Sequence, residues 1–455
     1  MKFRAKQRVK DWSNIEITEE FQKIFDLLNN TRENVFVTGR AGTGKSTLLE
    51  YFRTHTAKNL VVLAPTGVAA VNVRGQTIHS FFGFHPNITP EKIHKVGGSK
   101  KKNRSIYEKI ETIVIDEISM VRADLLDCVD KFMRVNGANA NLPFGGAQMI
   151  FFGDLYQLPP VVQSADRKIF HSQYDSPYFF SARVFASQGF LKSSFQIKIF
   201  ELEKIYRQKD DKFIDILNKV RENNLTDQDL QILNSRHEPN YFPNKNDLAI
   251  YLTSTNALAD SINFNRLNKL ENDELFFTGQ VSGKFTERHL PTELNLKLKI
   301  GAQVMLLRND PEGAYYNGSI GRVAEVILRE FETGQMMEEI VVELNSGDFV
   351  SVLPNTWDLY EYYFDSSNGW IESKSVGSFV QYPLKLAWAI TIHKSQGKTF
   401  ENLVIDVGAG TFAHGQMYVA LSRATCLSGI ILKRKIEKRH IIMDDKIVEY
   451  FKRER

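Results

Sequence analysis

The sequence has few cysteines, no long apolar run and no excess of charge of one sign, and each shortage excludes a class of protein. The two cysteines, Cys128 and Cys426, lie far apart and outside any C-x-x-C pattern, which argues against a disulfide framework or a zinc site and fits a reducing compartment. No apolar run approaches the roughly 18 residues that a membrane-spanning helix needs, and the basic residues 1–10 lack the apolar segment of a secretory signal. We therefore expect a cytoplasmic protein without a membrane partner.

The charge balance leaves the type of partner open. The chain carries 58 Lys and Arg against 54 Asp and Glu, a net charge of +4. This balance is compatible with nucleic-acid binding but does not argue for it, so any basic surface must be local. The hydrophobic fraction of 42% and the charged fraction of 25% are typical of a soluble globular protein. At 455 residues the chain is too long for one ordinary core, and we expect two to four domains.

The most informative feature that is present is the stretch G-R-A-G-T-G-K-S at 39–46, which matches the phosphate-binding pattern G-x-x-x-x-G-K-[ST]. An apolar run at 34–38 precedes it and a helical pattern follows, which is the context that this pattern requires. The glycines and the helix N-terminus would present backbone N–H groups to an anion. Lys45 would then reach the β- and γ-phosphates, and the Ser46 hydroxyl would hold Mg²⁺. The predicted nucleotide contacts of this loop are Gly39, Gly42, Thr43, Gly44, Lys45, Ser46 and Thr47.

Up to about residue 200, short β-branched runs alternate with helical stretches, which is typical of a parallel, doubly wound sheet. The runs 60–64, 112–115 and 148–152 are predicted to be strands buried on both faces, and each ends in a polar motif. The carboxyl ends of parallel strands form the edge where ligands bind, so these motifs should converge there. The segment 82–104 interrupts the alternation and is predicted to be a surface loop or a small subdomain that contacts a DNA strand.

A second alternating region begins near residue 201, with predicted helices at 211–221 and 256–270 and a strand at 248–252. Between about 283 and 381 the pattern changes to short strands separated by turn signals, which predicts a small β-barrel. The α/β pattern returns with a strand at 403–407. The predicted fold is α/β, with a first domain over 1–200 that carries an insert at about 82–105, a second domain over 201–296 and 382–455, and a barrel over 297–381.

Two adjacent carboxylates, Asp116 and Glu117, directly follow the predicted strand 112–115. Asp116 is placed to hold Mg²⁺, and Glu117 is placed to orient and deprotonate the attacking water. The structural alternative is that this pair caps the following helix. After the strand 148–152, Gln157 offers an uncharged amide that can contact both a γ-phosphate and the water beside it.

Phosphoryl transfer also needs positive charge on the departing phosphate. Arg207 and Arg423, both in the second α/β region, are candidates, and a surface salt bridge is the alternative for either. If both reach the nucleotide, the site lies between two domains. Hydrolysis would then open and close that cleft, as in a motor.

These motifs, in this order, resemble those of superfamily-one helicases of the 5′-to-3′ branch, and most closely those of the Pif-type DNA helicases. The segment 124–152 resembles the additional stretch that sets Pif-type enzymes apart from their relatives. The resemblance implies two RecA-like P-loop motor domains with parallel sheets and a small inserted SH3-like β-barrel. The matching stretches are 39–46, 64–70, 75–80, 116–120, 153–160, 252–256, 316–321, 392–399 and 416–423.

The resemblance also implies an ATP site with Mg²⁺ and a track for single-stranded DNA. Gln22 falls near the position that reads adenine, although Phe21 separates it from Glu20, and Gly397 is predicted to contact the nucleotide. Phosphates on the track would be held by hydroxyls, amides and backbone N–H groups without reading of bases. Phe81, Phe82 and Phe84 would either stack on bases or be buried. The implied ATP-site residues are Lys45, Ser46, Asp116, Glu117, Gln157, Arg207 and Arg423. The implied DNA-binding residues are Pro65, Thr66, His79, Ser80, Asn256, His393 and Lys394.

We therefore expect an ATP-dependent DNA helicase that translocates 5′ to 3′ on single-stranded DNA and unwinds tailed or forked duplexes. The family adds G-quadruplexes and RNA–DNA hybrids as substrates to test, and repair, recombination and telomere maintenance as settings. We expect a monomer of bacterial or viral origin, associated with the nucleoid if bacterial. One alternative is a DNA-stimulated ATPase that remodels or clears protein–DNA complexes without unwinding. A second is a nucleotide switch unrelated to nucleic acid, which leaves the second α/β region unexplained.

Overall fold

A six-stranded parallel sheet organises the first part of the chain. The computed structural model describes residues 12, 16–96, 106–162, 167–186, 195–206, 208, 210–243, 247–310, 313–330, 336–406 and 413–454. The first strands are β1 (Asn34–Gly39), β2 (Leu60–Ala64), β3 (Gln76–Thr77), β4 (Thr112–Ile115), β5 (Gln148–Phe152) and β6 (Ile197–Leu202). Their order is β3-β2-β4-β5-β1-β6. Every residue of β2, β4 and β5 is buried, as expected for strands covered on both faces. The accompanying helices are α1 (Glu19–Asn30), α2 (Lys45–His55), α3 (Gly67–Asn72), α4 (Ile78–Phe82), α5 (Ala123–Asn136) and α6 (Arg167–His171).

The second part opens with helices and one parallel strand and then becomes antiparallel. The helices are α7 (Asp211–Arg221), α8 (Asp227–Asn234) and α9 (Asn256–Asn268), and the strand is β7 (Ile250–Thr253). The antiparallel strands are β8 (Leu275–Thr278), β9 (Gln280–Gly283), β10 (Asn295–Leu298), β11 (Gln303–Leu306), β12 (Ile320–Glu330), β13 (Met336–Leu344), β14 (Phe349–Val352), β15 (Asn355–Asp365), β16 (Trp370–Gln381) and β17 (Leu384–Leu386). They therefore extend beyond the predicted 297–381 on both sides.

The chain then returns to complete a second parallel sheet. Its last strands are β18 (Ala389–Thr391), β19 (Leu403–Asp406) and β20 (Ile430–Leu432), and they are accompanied by α10 (Gln416–Leu421). The final helix, α11 (Asp445–Glu454), packs on the first domain instead, with Ile447, Tyr450 and Phe451 buried in its core. The order is β18-β7-β19-β20, so β7 pairs with strands from the far side of the antiparallel insert. Two parallel sheets with an antiparallel insert confirm the predicted α/β class.

A long hairpin formed by β15 and β16 connects the insert to the first sheet, a contact that the sequence did not predict. The hydroxyl of Tyr362 accepts a hydrogen bond from the Val62 N–H at 3.0 Å, and the Tyr362 N–H donates to Gln76 Oε1 at 3.2 Å. At the tip, the Ile371 N–H donates to Asn59 Oδ1 at 2.9 Å. The hairpin is therefore bound to the edge of the sheet formed by β2 and β3.

The described part of the predicted excursion, 82–96, packs on the first domain instead of projecting from it. Phe81, Phe82 and Phe84 are 7%, 4% and 9% exposed, and they contact Phe132 of α5 directly or through each other. All three are core residues here, so the burial alternative holds and base stacking by them is not supported. The basic run 100–104 lies outside the described residues. Within the described ranges, no helix combines the length and the apolar character needed to span a membrane.

Candidate active site

The loop between β1 and α2 has the backbone of a phosphate cradle. Gly42 and Gly44 have φ values of 85° and 89°, which residues with a Cβ rarely adopt. Gly39 is needed for a different reason, since a Cβ there would lie 2.7 Å from the backbone oxygen of Leu202. Gly44 is the N-cap of α2, so the positive end of the helix faces the same cavity as the loop.

The side chains of the loop support this arrangement. Lys45 Nζ donates to the backbone oxygens of Gly39 and Arg40 at 2.6 and 3.0 Å, which folds the ammonium group back over the loop. Thr43 is buried, and its hydroxyl donates to Arg40 O at 2.9 Å. Ser46 lines the cavity beside Lys45. The loop is therefore held open by its own bonds, with an ammonium and a hydroxyl at its mouth.

Asp116 and Glu117 directly follow β4. Glu117 lines the same cavity, whereas Asp116 lies beside it and is not among the lining residues. Glu117 has φ 50° and ψ 45°, a left-handed conformation that costs about 1–3 kcal/mol for a non-glycine residue and concentrates at functional sites. Its side chain makes no capping hydrogen bond, and α5 takes Arg122 as its N-cap. The alternative that the Glu117 side chain caps the following helix is therefore wrong.

The electrostatics of the pair reflect crowding of two carboxylates near one cation. Burial, with the adjacent charge of Glu117, raises the pKa of Asp116 to about 7, while Lys45 opposes the shift. Burial also raises the pKa of Glu117, against the lowering effect of Lys45 and Arg423. Both carboxylates thus lie where added positive charge would be favourable.

Gln157 lies in the loop after β5 and links the two parallel sheets. Its Oε1 accepts a hydrogen bond at 3.0 Å from the side-chain amide of Gln396, which follows β18 in the second sheet. Its Nε2 donates to Asp154 Oδ2 at 3.3 Å. Gln157 and Gly397 both line the cavity, so the site is built from both domains.

Arg423 approaches the cavity from the second domain. It is 1% exposed, and its guanidinium donates to the backbone oxygens of Val419, Ser395 and Lys398 at 2.9, 3.4 and 3.2 Å. The surface salt-bridge alternative is therefore wrong for Arg423. Arg207, the other predicted arginine, lies outside the described residues.

These groups surround one cavity of about 760 Å³ between the two sheets. This volume is in the range of ligand-binding clefts. Thr399 and Tyr206 also line the cavity, although the sequence motifs did not predict either residue. The ring of Tyr206 packs over the glycine loop, 3.8 Å from the Cβ position of Gly44. The adjacency of Tyr206 to Arg207 was the available signal. The lining residues are Glu16, Thr18, Glu20, Phe21, Ala41, Gly42, Thr43, Gly44, Lys45, Ser46, Thr47, Glu117, Gln157, Leu202, Lys204, Tyr206, Gly397, Thr399 and Arg423.

The end of the cavity near α1 differs from the prediction. Gln22 is not among the lining residues, and its amide donates to Asp26 at 2.9 Å on the exposed face of the helix. Glu20 and Phe21 line the cavity instead. In this structure the Gln22 side chain therefore points away from the cavity, and its reading of the base stays a prediction.

The predicted DNA-binding residues lie at strand ends away from the nucleotide loop. Pro65 and Thr66 follow β2, and His79 and Ser80 follow β3, its neighbour in the sheet. In the second sheet, Asn256 follows β7, and His393 and Lys394 follow the adjacent β18. Thr66, Ser80, Asn256 and Lys394 are exposed, and the others are partly exposed. Each sheet thus presents one group of polar residues at its carboxyl edge.

Burial has a direct effect on the two histidines of these groups. It lowers the pKa of His79 below its ordinary value, with Asp124 opposing and Arg122 adding to the shift. Burial likewise lowers the pKa of His393. Both imidazoles are therefore neutral at pH 7, and they would contact phosphates as hydrogen-bond donors without a full charge.

Comparison with known proteins agrees with this architecture. A model of the PIF1-like helicases matches residues 15–231. The chain is 32% identical over 451 residues to the ATP-dependent DNA helicase Pif1 of Bdellovibrio bacteriovorus, which covers 96% of this chain and 92% of that protein.

Solved structures extend the similarity to the whole fold. Pif1 from Bacteroides sp in complex with ADP-AlF4 has a TM-score of 0.85 and 38% identity over 97% of both chains. Bacteroides Pif1 bound to single-stranded DNA has a TM-score of 0.65 and 37% identity, again over 97% of both chains. The two parallel sheets are thus RecA-like motor domains, with the cavity described above between them. The chain belongs to the family of PIF1-like helicases and is an ATP-dependent DNA helicase.

Proposed function

We propose that this helicase moves 5′ to 3′ on single-stranded DNA and opens duplexes that carry a 5′ single-stranded tail or a fork. The observation that carries the proposed movement is the division of each sheet edge, whereas the direction is the one implied by the resemblance to the 5′-to-3′ branch. One part lines the nucleotide cavity between the domains, and the other presents polar side chains suited to phosphates. Closure of the cavity would change the distance between the two DNA-binding groups, because each belongs to a different domain.

Within the cavity we assign a role to each group. Lys45 binds the β- and γ-phosphates, and Glu117 accepts the proton of the attacking water. Gln157 contacts the γ-phosphate, and Arg423, together with Arg207, stabilises the charge that develops on it. Ser46 and Asp116 fit Mg²⁺, since one carboxylate and one hydroxyl beside the phosphates are the sparse protein ligands that this ion takes. When bound, Mg²⁺ would neutralise charge on the phosphate oxygens.

The DNA contacts are proposed for Pro65, Thr66, His79 and Ser80 in the first domain. In the second domain they are proposed for Asn256, His393 and Lys394. Hydroxyls, amides and backbone groups of this kind contact phosphates in any sequence, which permits sliding. Replacing His79 and Asn256 together by alanine should weaken single-strand affinity to a similar degree for all sequences. Unchanged affinity would place the DNA elsewhere.

Polarity is tested with two duplexes that differ only in the side of the single-stranded tail. We expect ATP-dependent displacement from the 5′-tailed duplex and none from the 3′-tailed one. Displacement from the 3′ tail would refute the direction while keeping the motor. DNA-stimulated hydrolysis without displacement from either duplex would instead support remodelling of protein–DNA complexes.

The roles of Lys45 and Glu117 are tested by Lys45→Ala and Glu117→Gln. Both should lose hydrolysis, and Glu117→Gln should still bind ATP because it keeps the shape of the side chain. Wild-type turnover in either variant would refute the corresponding role.

Displacement assays like those on the tailed duplexes decide whether G-quadruplexes and RNA–DNA hybrids are substrates. Sedimentation with and without DNA tests the proposed monomer, and imaging tests the proposed location in the cytoplasm on the nucleoid.

A further inference from the structure

The loop that carries Gln157 makes close contacts with the second domain. We call residues 154–158 the sensor loop. A Cβ at Gly415 would lie 2.4 Å from the backbone oxygens of both Tyr156 and Gln157, so the second domain touches the loop without an intervening side chain. The backbone oxygen of Leu155 lies 2.9 Å from His414 Nε2. The conformation of the sensor loop is therefore set by both domains.

A further contact is a buried ion pair between Arg221 and Asp154. Arg221 ends α7 in the core of the second domain, and its guanidinium lies 3.3 Å from the Asp154 carboxylate. The two side chains are 3% and 0% exposed. The guanidinium also stacks 4.0 Å from the ring centre of Tyr156 and bonds to Glu201 at 3.0 Å. A buried charge needs its partner far more than an exposed one does, so Asp154 is held in place by Arg221.

Asp154 in turn fixes the orientation of the amide of Gln157. A carboxylate can only accept hydrogen bonds, so the bond of 3.3 Å from Gln157 Nε2 to Asp154 Oδ2 turns the NH₂ group toward Asp154. The other end, Oε1, accepts from Gln396 at 3.0 Å. An amide NH₂ has two hydrogens, and one bond to Asp154 leaves the second available for a phosphate oxygen. Gln396 is itself an amide that can donate or accept after rotation, so Asp154 is the partner that fixes which end of the Gln157 amide carries the NH₂ group.

We propose that Arg221 is a positioning residue for ATP hydrolysis, acting through Asp154 on the amide of Gln157. This inference rests on the proposed contact between Gln157 and the γ-phosphate. On this proposal Arg221, in the second domain, helps Gln157 to detect the γ-phosphate, although Arg221 itself does not contact the phosphate. A movement of α7 relative to the sensor loop would turn the amide away and reduce hydrolysis.

The test compares two ligands that differ at the γ-position. ADP contacts the glycine loop but carries no group at the γ-position, whereas ADP with aluminium fluoride does. The measured quantity is the ratio of the dissociation constants of a fluorescent ADP analogue without and with aluminium fluoride. If the ion pair has a merely structural role, its loss would weaken the affinity for ADP with and without aluminium fluoride. If it has a positioning role, its loss would lower the ratio and leave the affinity for ADP alone unchanged.

Arg221→Met should lower this ratio by about tenfold or more, equivalent to ~1.4 kcal/mol, with the affinity for ADP retained. Arg221→Lys, which keeps a charge near Asp154, should restore part of the ratio. The matched control is Glu201→Gln, which removes the charge of the other carboxylate partner of Arg221. Glu201 has no bond to Gln157 among the described contacts, so the ratio should be unchanged.

Gln157→Ala separates failure of this inference from failure of the proposed function. If Gln157→Ala leaves the ratio unchanged, the assignment of Gln157 is wrong. If it lowers the ratio and Arg221→Met does not, the positioning role is refuted. Should Arg221→Met lose ADP binding through misfolding, Asp154→Asn replaces it, because the asparagine keeps the shape but has a single acceptor oxygen and no charge for Arg221 to hold. An unchanged ratio in Asp154→Asn would refute the inference equally.

Discussion

Replacing Gly415 by alanine should separate the two motor domains slightly and slow hydrolysis. The new Cβ would lie 2.4 Å from the backbone oxygens of Tyr156 and Gln157, about 1 Å closer than the 3.4 Å at which ordinary contact begins. Neither oxygen is at the end of a flexible side chain, so the interface must open. Gly415 also has φ 68°, which costs an alanine about 1–2 kcal/mol.

The control for this backbone cost is Gly347→Ala. Gly347 has φ 87° and nothing within 4 Å of its Cβ position, so it experiences the conformational cost without the clash. Overpacking should destabilise Gly415→Ala by a further 1–3 kcal/mol or so relative to this control. A shift of about 1 Å at the sensor loop should lower kcat by about 10- to 100-fold.

The assay is DNA-stimulated ATP hydrolysis at saturating ATP, with thermal unfolding of both variants measured in parallel. The expected result is a large loss of kcat in Gly415→Ala and a near-normal kcat in Gly347→Ala. Equal kcat values in the two variants would refute the reasoning, since the clash would then have no effect on the loop that carries Gln157.

Three further predictions follow from other contacts. Gln22→Ala should leave the KM for ATP unchanged, because Gln22 bonds to Asp26 outside the cavity. Glu20→Ala, in contrast, should change the ratio of the KM values for ATP and GTP. A change of KM in Gln22→Ala alone would support the prediction that Gln22 reads the base. Tyr362→Phe should lower the free energy of unfolding by about 1–3 kcal/mol, because the backbone of Val62 loses its partner. Tyr363→Phe, which loses only an exposed bond to Glu372, should cost under about 0.5 kcal/mol in the same urea titration. The third prediction compares the single-strand affinity of the parent with that of the double variant His79→Asn/His393→Asn. Because burial lowers the pKa of both histidines, the ratio of the two affinities should be constant above about pH 7 and should rise below pH 6.5, where the imidazoles gain charge. A ratio that instead grows with rising pH in anisotropy titrations would contradict this.

The strands, and the position of the polar motifs that follow them, were predictable because each is a local signal. The run at 60–64 is apolar throughout and the run at 112–115 is apolar after Thr112, and the structure has strands with those same bounds. The acidic pair and the glycine loop follow their strands directly, and parallel strands bring their ends to one edge. The arrangement of the cavity therefore follows from local sequence and the rules of parallel sheets.

Other features depend on contacts that no local pattern contains. One residue along an α-helix rotates the side chain by about 100°, so an offset of one position takes Gln22 out of the cavity and brings Phe21 and Glu20 to it. The hairpin of β15 and β16 has partly exposed, alternating residues, and nothing in them indicates Asn59 or Val62 as partners. The ion pair between Arg221 and Asp154 joins residues from two domains, and only their packing reveals it.

The position of β7 in the second sheet has a consequence for synthesis of the chain. Its two neighbours, β18 and β19, follow the whole antiparallel insert. All strands of the first sheet have been translated by Leu202, whereas β7 emerges long before either of its partners does. Contacts between distant parts of a chain form slowly and leave unpaired edges exposed in the meantime. We therefore expect β7 to be the segment of the nascent chain most prone to misassembly. The core beneath the first sheet also waits for α11, because Ile447, Tyr450 and Phe451 are buried in it.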